Sequence, residues 1–332
     1  MKTDKTKVQK ILFITLSNLG DIILTTPVLV KLHEEFPQAS IDVVTGSAGE
    51  EIFISHPAVK EVIADKRSRS LAARVRQVLE LRRREYDLAV DLKNSLIPYL
   101  VGAKFYSRLT FRQDPSRHKR DEHLVKLAGL KVGSFLSRSS YLSGAQFFIP
   151  VLPHDKNYIE ALMNAKDQGK KAVIINAGAK SPLKRWDADK YARLADRLIR
   201  ELGCRIFLTG TADDLETVKA VTYAMKESAA DLCGKTSVGA LAELMKRCDL
   251  VVTNDSAPLH VASAVNAPTI AIFGPFNEKK YGPLADKSVT IKPEIPCRPC
   301  DRPRCRKKFT KGCISFVKVE EVFQAAKKML SE

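Results

Sequence analysis

The sequence predicts an α/β protein of two doubly wound, Rossmann-like domains facing a cleft. Three observations predict it. In both halves, short apolar runs rich in β-branched residues alternate with helical segments at the spacing of a parallel sheet. The 332 residues match the length of about two domains. Two prolines break the apolar run Phe147-Phe-Ile-Pro-Val-Leu-Pro153, which marks a boundary between domains at 1–150 and 151–332.

The first strand is read at Ile11–Leu16. It enters Ser17-Asn-Leu-Gly-Asp21 and then an apolar helix from Ile22 to about Phe36, which Pro37 ends. Pro27 falls early enough in that helix to be tolerated. Ile41–Thr45 is the second strand, closed by Gly46, and Val59–Ile63 the third. Ser70–Glu85 reads as a helix with Leu71, Val75, Val78 and Leu81 along one face and arginines elsewhere. Tyr86–Leu92 is the fourth strand, and residues 93–150 hold a helix near Glu122–Leu127 within loop-rich sequence.

The second half opens on a helix over about 155–166. Lys171–Asn176 is a buried strand that enters the loop Ala177–Trp186. A helix starts at Asp187 or Asp189 and runs to Leu202, followed by a strand at Arg205–Thr209. Gly210-Thr-Ala-Asp213 opens another helix, Ser237–Lys246 is a further one, and Leu250–Val252 is a strand. After the polar break Thr253–Ser256, Ser256 is placed to cap a helix with Pro258 in its first turn. Thr269–Phe273 is the next strand and Val319–Leu330 the terminal helix. In such sheets ligands bind beyond the carboxyl ends of strands, where helix N-termini present N–H groups. That placement puts Asp255, Ser256, Ala257 and His260 at a site edge. The alternative makes Asp255 and Ser256 simple caps and packs His260 inside the helix.

The net charge of +17 favours anionic partners such as nucleic acid, lipid headgroups or phosphorylated sugars, rather than solubility alone. The charge is clustered: Lys66, Arg67, Arg69, Arg74, Arg76 and Arg82–Arg84 in one segment, then Arg108, Arg112, Arg117, Lys119 and Arg120. No Gly-x-Gly-x-x-Gly follows the first strand and no Gly-x-x-x-x-Gly-Lys-Ser/Thr occurs, which argues against a dinucleotide oxidoreductase or a P-loop NTPase. No apolar run spans a bilayer, and Ile11–Leu16 is too short for a signal sequence. The expectation is a cytoplasmic protein whose seven cysteines form no structural disulfides.

Several stretches, in order, resemble glycosyltransferase family 9, the ADP-heptose:lipopolysaccharide heptosyltransferases. They are Ser17-Asn-Leu-Gly-Asp-Ile-Ile-Leu-Thr-Thr-Pro-Val-Leu with Phe36-Pro37, Tyr86–Leu92, Asn176-Ala-Gly-Ala, Lys184-Arg-Trp186, Thr253-Asn-Asp-Ser-Ala-Pro-Leu-His260 and Ile272-Phe-Gly-Pro275. The resemblance implies a GT-B fold and an inverting transfer that requires no metal or other cofactor. It implies ADP-heptose as donor and an anionic, lipid-linked inner-core lipopolysaccharide acceptor at the inner face of the cytoplasmic membrane. The N-terminal domain would bind the acceptor and the C-terminal domain the nucleotide sugar. Asp21 falls on the family's general base, and Lys184 on its nucleotide-sugar-binding lysine. Asn176, Gly178, Asp213, Asp255, Ser256, Ala257 and His260 fall along its nucleotide-sugar site. Ser17 and Gly20, with Arg112, Arg117, Lys119 and Arg120, are expected on the acceptor side. Ala177 stands where the family usually has proline, which bears on loop stiffness. Apart from the resemblance, Asp21 at a helix start also reads as a cap.

Cys297, Cys300, Cys305 and Cys313 lie among many basic residues. Only the first pair has Cys-x-x-Cys spacing, so a structural zinc and free thiols both stay open. Cys204, Cys233 and Cys248 read as buried apolar residues. The rival readings are another GT-B enzyme with a different nucleotide sugar or a protein acceptor, and a basic nucleic-acid-binding protein with a zinc module. The last leaves two sheet domains without a role, so no nucleic acid is expected as a partner.

Overall fold

The computed structural model describes residues 8–65, 70–109, 114–127, 130, 132, 142, 144–164, 169–309 and 312–332. The chain divides into two compact units, Met1–Pro150 and Val151–Glu332.

In the first unit, β1 (Lys10–Ile14), β2 (Ser40–Thr45), β3 (Val59–Ala64), β4 (Leu88–Asp91) and β5 (Phe105–Tyr106) form one sheet in the order β3-β2-β1-β4-β5. All neighbours are parallel. Ile11, Leu12, Phe13 and Ile14 of β1 are buried, as a central strand covered on both faces requires. The strand order reverses between β1 and β4, so the loops after these two strands flank the switch point where open α/β sheets bind ligands. The helices are α1 (Leu19–Glu35), α2 (Glu50–Phe53), α3 (Leu71–Arg82), α4 (Ile97–Leu100) and α5 (Lys119–Val125), and α5 packs on α1.

Helix α1 corrects two expectations. It begins at Leu19 after the N-cap Asn18, three residues before the apolar run, so Asp21 belongs to its first turn. Gly20 therefore lies in the helix, and it is not among the glycines with positive φ; the chain turns before it. The earlier start also leaves Pro27 in the helix interior, where it removes an N–H. The carbonyl of Ile23, four residues back, receives the Thr26 hydroxyl at 2.8 Å instead.

The second unit repeats the plan with six strands: β6 (Ala172–Asn176), β7 (Arg205–Thr209), β8 (Ala230–Asp231), β9 (Leu250–Asn254), β10 (Thr269–Ile272) and β11 (Ser288–Ile291). The order is β11-β10-β9-β6-β7-β8, again parallel throughout. Its switch point lies between β6 and β9, where Asn176 pairs in register with Thr253. The helices are α6 (Pro153–Asn164), α7 (Ala188–Leu202), α8 (Leu215–Ala224), α9 (Val238–Arg247), α10 (Ala257–Ala264), α11 (Glu278–Tyr281) and α12 (Val319–Ser331). α12 packs on α7, and Phe323 and Ala326 join the core with Leu194, Leu198 and Val173.

Cys204, Cys233 and Cys248 are buried, and burial pushes their thiols up to about 11, 11 and 12. The sequence passes over the short strands β5, β8 and β11, whose two to four residues carry no period of their own. Among the described residues, no helix is long and apolar enough to cross a membrane.

Candidate active site

The second unit gathers its polar residues at the β6/β9 switch point. Asn254 closes β9 and is wholly buried. Its Oδ1 accepts from the Trp186 backbone N–H at 3.2 Å and from the Tyr191 hydroxyl at 2.9 Å. Its Nδ2 donates to the carbonyls of Ala177 at 2.9 Å and Gly178 at 3.3 Å. One amide thus joins the loop after β6, the Lys-x-Trp loop and α7. Trp186 is buried edge-on against Tyr191, and its indole N–H donates to Val317 O at 3.0 Å, so it serves packing.

This frame delivers Lys184, at the end of the 3-10 turn Pro182–Lys184, to Asp255 with Nζ to Oδ2 at 2.7 Å. The Asp255 side chain is 3% exposed and the Lys184 side chain 22%. The ammonium also lies 4.2 Å from the centre of the Phe276 ring and 5.8 Å from that of Tyr281. Asp255 is followed by Ser256, the N-cap of α10. Ser256 makes no capping bond; its Oγ is buried and has no hydrogen-bond partner within the described chain. A buried hydroxyl left so is uncommon. Of the first three positions of α10, Pro258 has no N–H and the Leu259 N–H donates to Ser256 O at 3.0 Å, so the N–H this helix start can offer a ligand is that of Ala257. Ala257 begins the helix, and His260 is buried one turn on. A half-buried cation, a hydroxyl and a helix N-terminus side by side suit a diphosphate.

Other predicted residues have different surroundings. Asn176 is buried and uses its Nδ2 on Thr209, at 3.0 Å to the carbonyl and 3.3 Å to the hydroxyl. Gly178 is required by contact, since a Cβ there would stand 2.3 Å from Asp214 Cγ. Asp213 is exposed; its neighbour Asp214 faces Gly178 and accepts from the Thr211 N–H and hydroxyl at 3.0 and 2.8 Å.

In the first unit, Asp21 stands half-buried in the first turn of α1, where Asn18 Nδ2 donates to its Oδ2 at 3.1 Å. A carboxylate there gains from the helix N-terminus. Ser17 Oγ is buried without a hydrogen-bond partner among the described residues. Gly46 allows the close approach of this loop, because a Cβ on it would meet Ser17 Cα at 2.8 Å. Around α5, the Arg117 and Arg120 side chains pair with Asp114 and Asp121 at 3.4 and 2.7 Å, and Lys119 pairs with Glu122. Arg112 lies outside the described residues, as do Lys66, Arg67 and Arg69 of the other basic cluster. No sequence signal marks Lys126, whose Nζ donates to Asp91 O at 2.8 Å and Asn94 Oδ1 at 2.6 Å beyond the end of β4. Burial holds its ammonium below the usual lysine range.

The four cysteines of the C-terminal segment are all described. Among the described residues, no three His, Cys, Asp or Glu side chains are placed to hold a metal. The four thiols instead border a cavity of about 220 Å³, with Cys313 buried, Cys300 and Cys305 half-buried and Cys297 exposed. The segment is held by other bonds. Arg298 donates to the carbonyls of Gly274 and Phe276 and to Glu278, and the N–H groups of Cys300 and Asp301 donate to Pro275 O. Asp301 accepts from the Asn277 N–H. Burial opposes ionisation of Glu278, but bonds from Lys292 and its own backbone, with the charge of Arg298, hold its carboxyl at about 2. The segment thereby fixes the loop that carries Phe276 over Lys184.

Residues 140–310 match the family model for glycosyltransferase family 9 (heptosyltransferase), which is more than half of the chain. The chain belongs to glycosyltransferase family 9. A lipooligosaccharide heptosyltransferase 2 of Haemophilus influenzae is 30% identical over 85% of the chain and 88% of its own length. A lipooligosaccharide heptosyltransferase 2 of Campylobacter jejuni subsp. jejuni is 28% identical over 94% of the chain and 95% of its own. The crystal structure of a family 9 glycosyl transferase from Veillonella parvula superposes with a TM-score of 0.81 at 26% identity, covering 100% of this chain and 99% of that one. The fold is the two-sheet GT-B architecture of the family, and the protein is a glycosyltransferase.

Proposed function

We propose that this family 9 glycosyltransferase moves a heptose from ADP-heptose to the inner core of a lipid-linked lipopolysaccharide, with inversion and without a metal ion, at the inner face of the cytoplasmic membrane. The observation that carries the donor side is the Lys184–Asp255 pair beside Ser256 at the start of α10. In this reading the diphosphate lies at Ser256, Ala257 and Lys184. The second unit holds the nucleotide sugar and the first unit the acceptor.

An acceptor hydroxyl attacks the anomeric carbon, and its oxygen forms the new glycosidic bond. The bond from that carbon to the ADP oxygen breaks, and its electron pair leaves with the diphosphate. The hydroxyl proton passes to the Asp21 carboxylate, the base. Lys184 and the Ala257 N–H at the start of α10 stabilise the departing charge, the work a metal ion performs elsewhere. Asp255 keeps the ammonium aimed and Phe276 covers it, with little reorganisation at the moment of transfer. Arg117, Lys119 and Arg120, with Arg112, attract the anionic acceptor.

The test is direct assay of the purified protein with ADP-heptose and an inner-core acceptor lacking the heptose. Mass spectrometry should show one added heptose and the release of ADP, and the activity should persist in EDTA. Transfer from another nucleotide sugar alone would move the enzyme to a different donor class.

A further inference from the structure

Helix α3 does not use its apolar residues for packing. Only Leu81 of the helix is fully buried, while Leu71, Val75 and Leu79 are 76%, 49% and 50% exposed. The three recur at i, i+4 and i+8, so they form one stripe along the outer side. They line a shallow groove together with Arg76 and Arg83. The adjoining α4 adds Leu96, Tyr99 and Leu100, also exposed. The helix and its cap carry Arg74, Arg76, Arg82 and Arg83 against the single acid Glu80.

We propose that α3 and α4 form the surface by which this protein lies on an anionic bilayer, with the leucines and valine in the acyl boundary and the arginines among the headgroup phosphates. The proposal deepens the membrane-side reading above and names the surface. Charge complementarity selects the occupant. A stripe of aliphatic side chains edged by arginines fits an interface that is apolar inside and anionic at its rim. Nucleic acid supplies the phosphates but no apolar layer. A second copy would bring the same arginines face to face in a protein of charge +17. A tyrosine beside the stripe suits the headgroup level.

The experiment is co-sedimentation of the full chain with vesicles of phosphatidylcholine alone and of phosphatidylcholine with phosphatidylglycerol. The substituted side chains are exposed, and thermal melts check folding. Wild type should sediment only with the anionic vesicles, and less so in high salt. Arg76→Gln with Arg83→Gln should lower the partition about fivefold for each arginine lost. Leu71→Ser with Leu79→Ser should lower it at least as much. Binding by both variants equal to that of wild type, or no binding by wild type, overturns the proposal. So does self-association in ultracentrifugation that the serine variant abolishes while no vesicle binding is seen, which would give the face to a second copy. The vesicles hold neither donor nor lipopolysaccharide, so failure here leaves the transferase reading standing, and failure of that reading leaves this result standing.

Discussion

At the residue scale, Asp21 and Lys184 stand in different kinds of surroundings. Asp21 is half-buried and receives one side-chain bond, from Asn18. Asp21→Asn keeps an acceptor for that bond but loses the negative charge and with it the capacity to take a proton. Turnover is expected to fall about 10²- to 10⁴-fold, with stability lowered by no more than about 1 kcal/mol through the lost charge at the helix N-terminus. Near-normal turnover would make Asp21 a helix residue and nothing more. Lys184 is half-enclosed by Asp255, Phe276 and Tyr281, so its partner matters as much as the lysine itself. The sequence marks Asp255 and Ser256 by their place after a strand and before Pro258. It does not mark Asn254 as the residue that ties three loops, because its partners Ala177, Gly178, Trp186 and Tyr191 lie more than sixty positions away. Asp214 is hidden for a similar reason. Its role is visible only when Gly178 is seen pressed against it.

At the element scale, the long strands and helices are legible from period and punctuation, and what escapes is set by tertiary contact. β11 is an edge strand whose pairing with β10 makes it a strand. The start of α1 escapes because Leu19 and Gly20 continue no apolar period, while the carboxylate of Asp21 favours a helix N-terminus there. α3 has the apolar residues of a packed helix but shows Leu71 and Val75 to solvent, which a wheel cannot foresee. The cysteine segment leaves zinc and free thiols open in one dimension, and its bonds brace the 274–278 loop in three. Arg298→Met tests the brace. It leaves two carbonyls without their donor and Glu278 with one cation fewer, so stability should drop by about 3 kcal/mol. The donor KM should rise severalfold through the displaced Phe276, with a smaller change in kcat. A lower melting temperature with an unaltered donor KM would separate the segment from the site.

At the scale of the whole molecule, acid should weaken the first unit. Burial lowers His123 to about 3, with the charges of Lys119, Lys126 and His118 acting in the same direction, and burial together with His33 lowers His56 to about 4. Both are neutral when folded, and the unfolded chain binds more protons below about pH 6.5. Stability is therefore complete above that pH and falls as pH drops towards the folded values, by up to about 1.4 kcal/mol per pH unit for His123. Melting curves at pH 7 and pH 5 should show the loss, and His123→Gln should flatten it. An equal slope in the variant would place the acid sensitivity elsewhere. The proposed transfer requires an ADP-sugar site at the β6/β9 switch point of the second unit, and isothermal calorimetry with ADP, UDP and GDP measures whether it is there. ADP should bind more tightly than the other two, and Lys184→Met should weaken ADP by about 10- to 100-fold, as loss of a charge-assisted bond of roughly 1.5–3 kcal/mol requires. Asp21→Asn should leave ADP binding unchanged. A preference for UDP, or ADP binding indifferent to Lys184→Met, would rule out an ADP-sugar site built on Lys184.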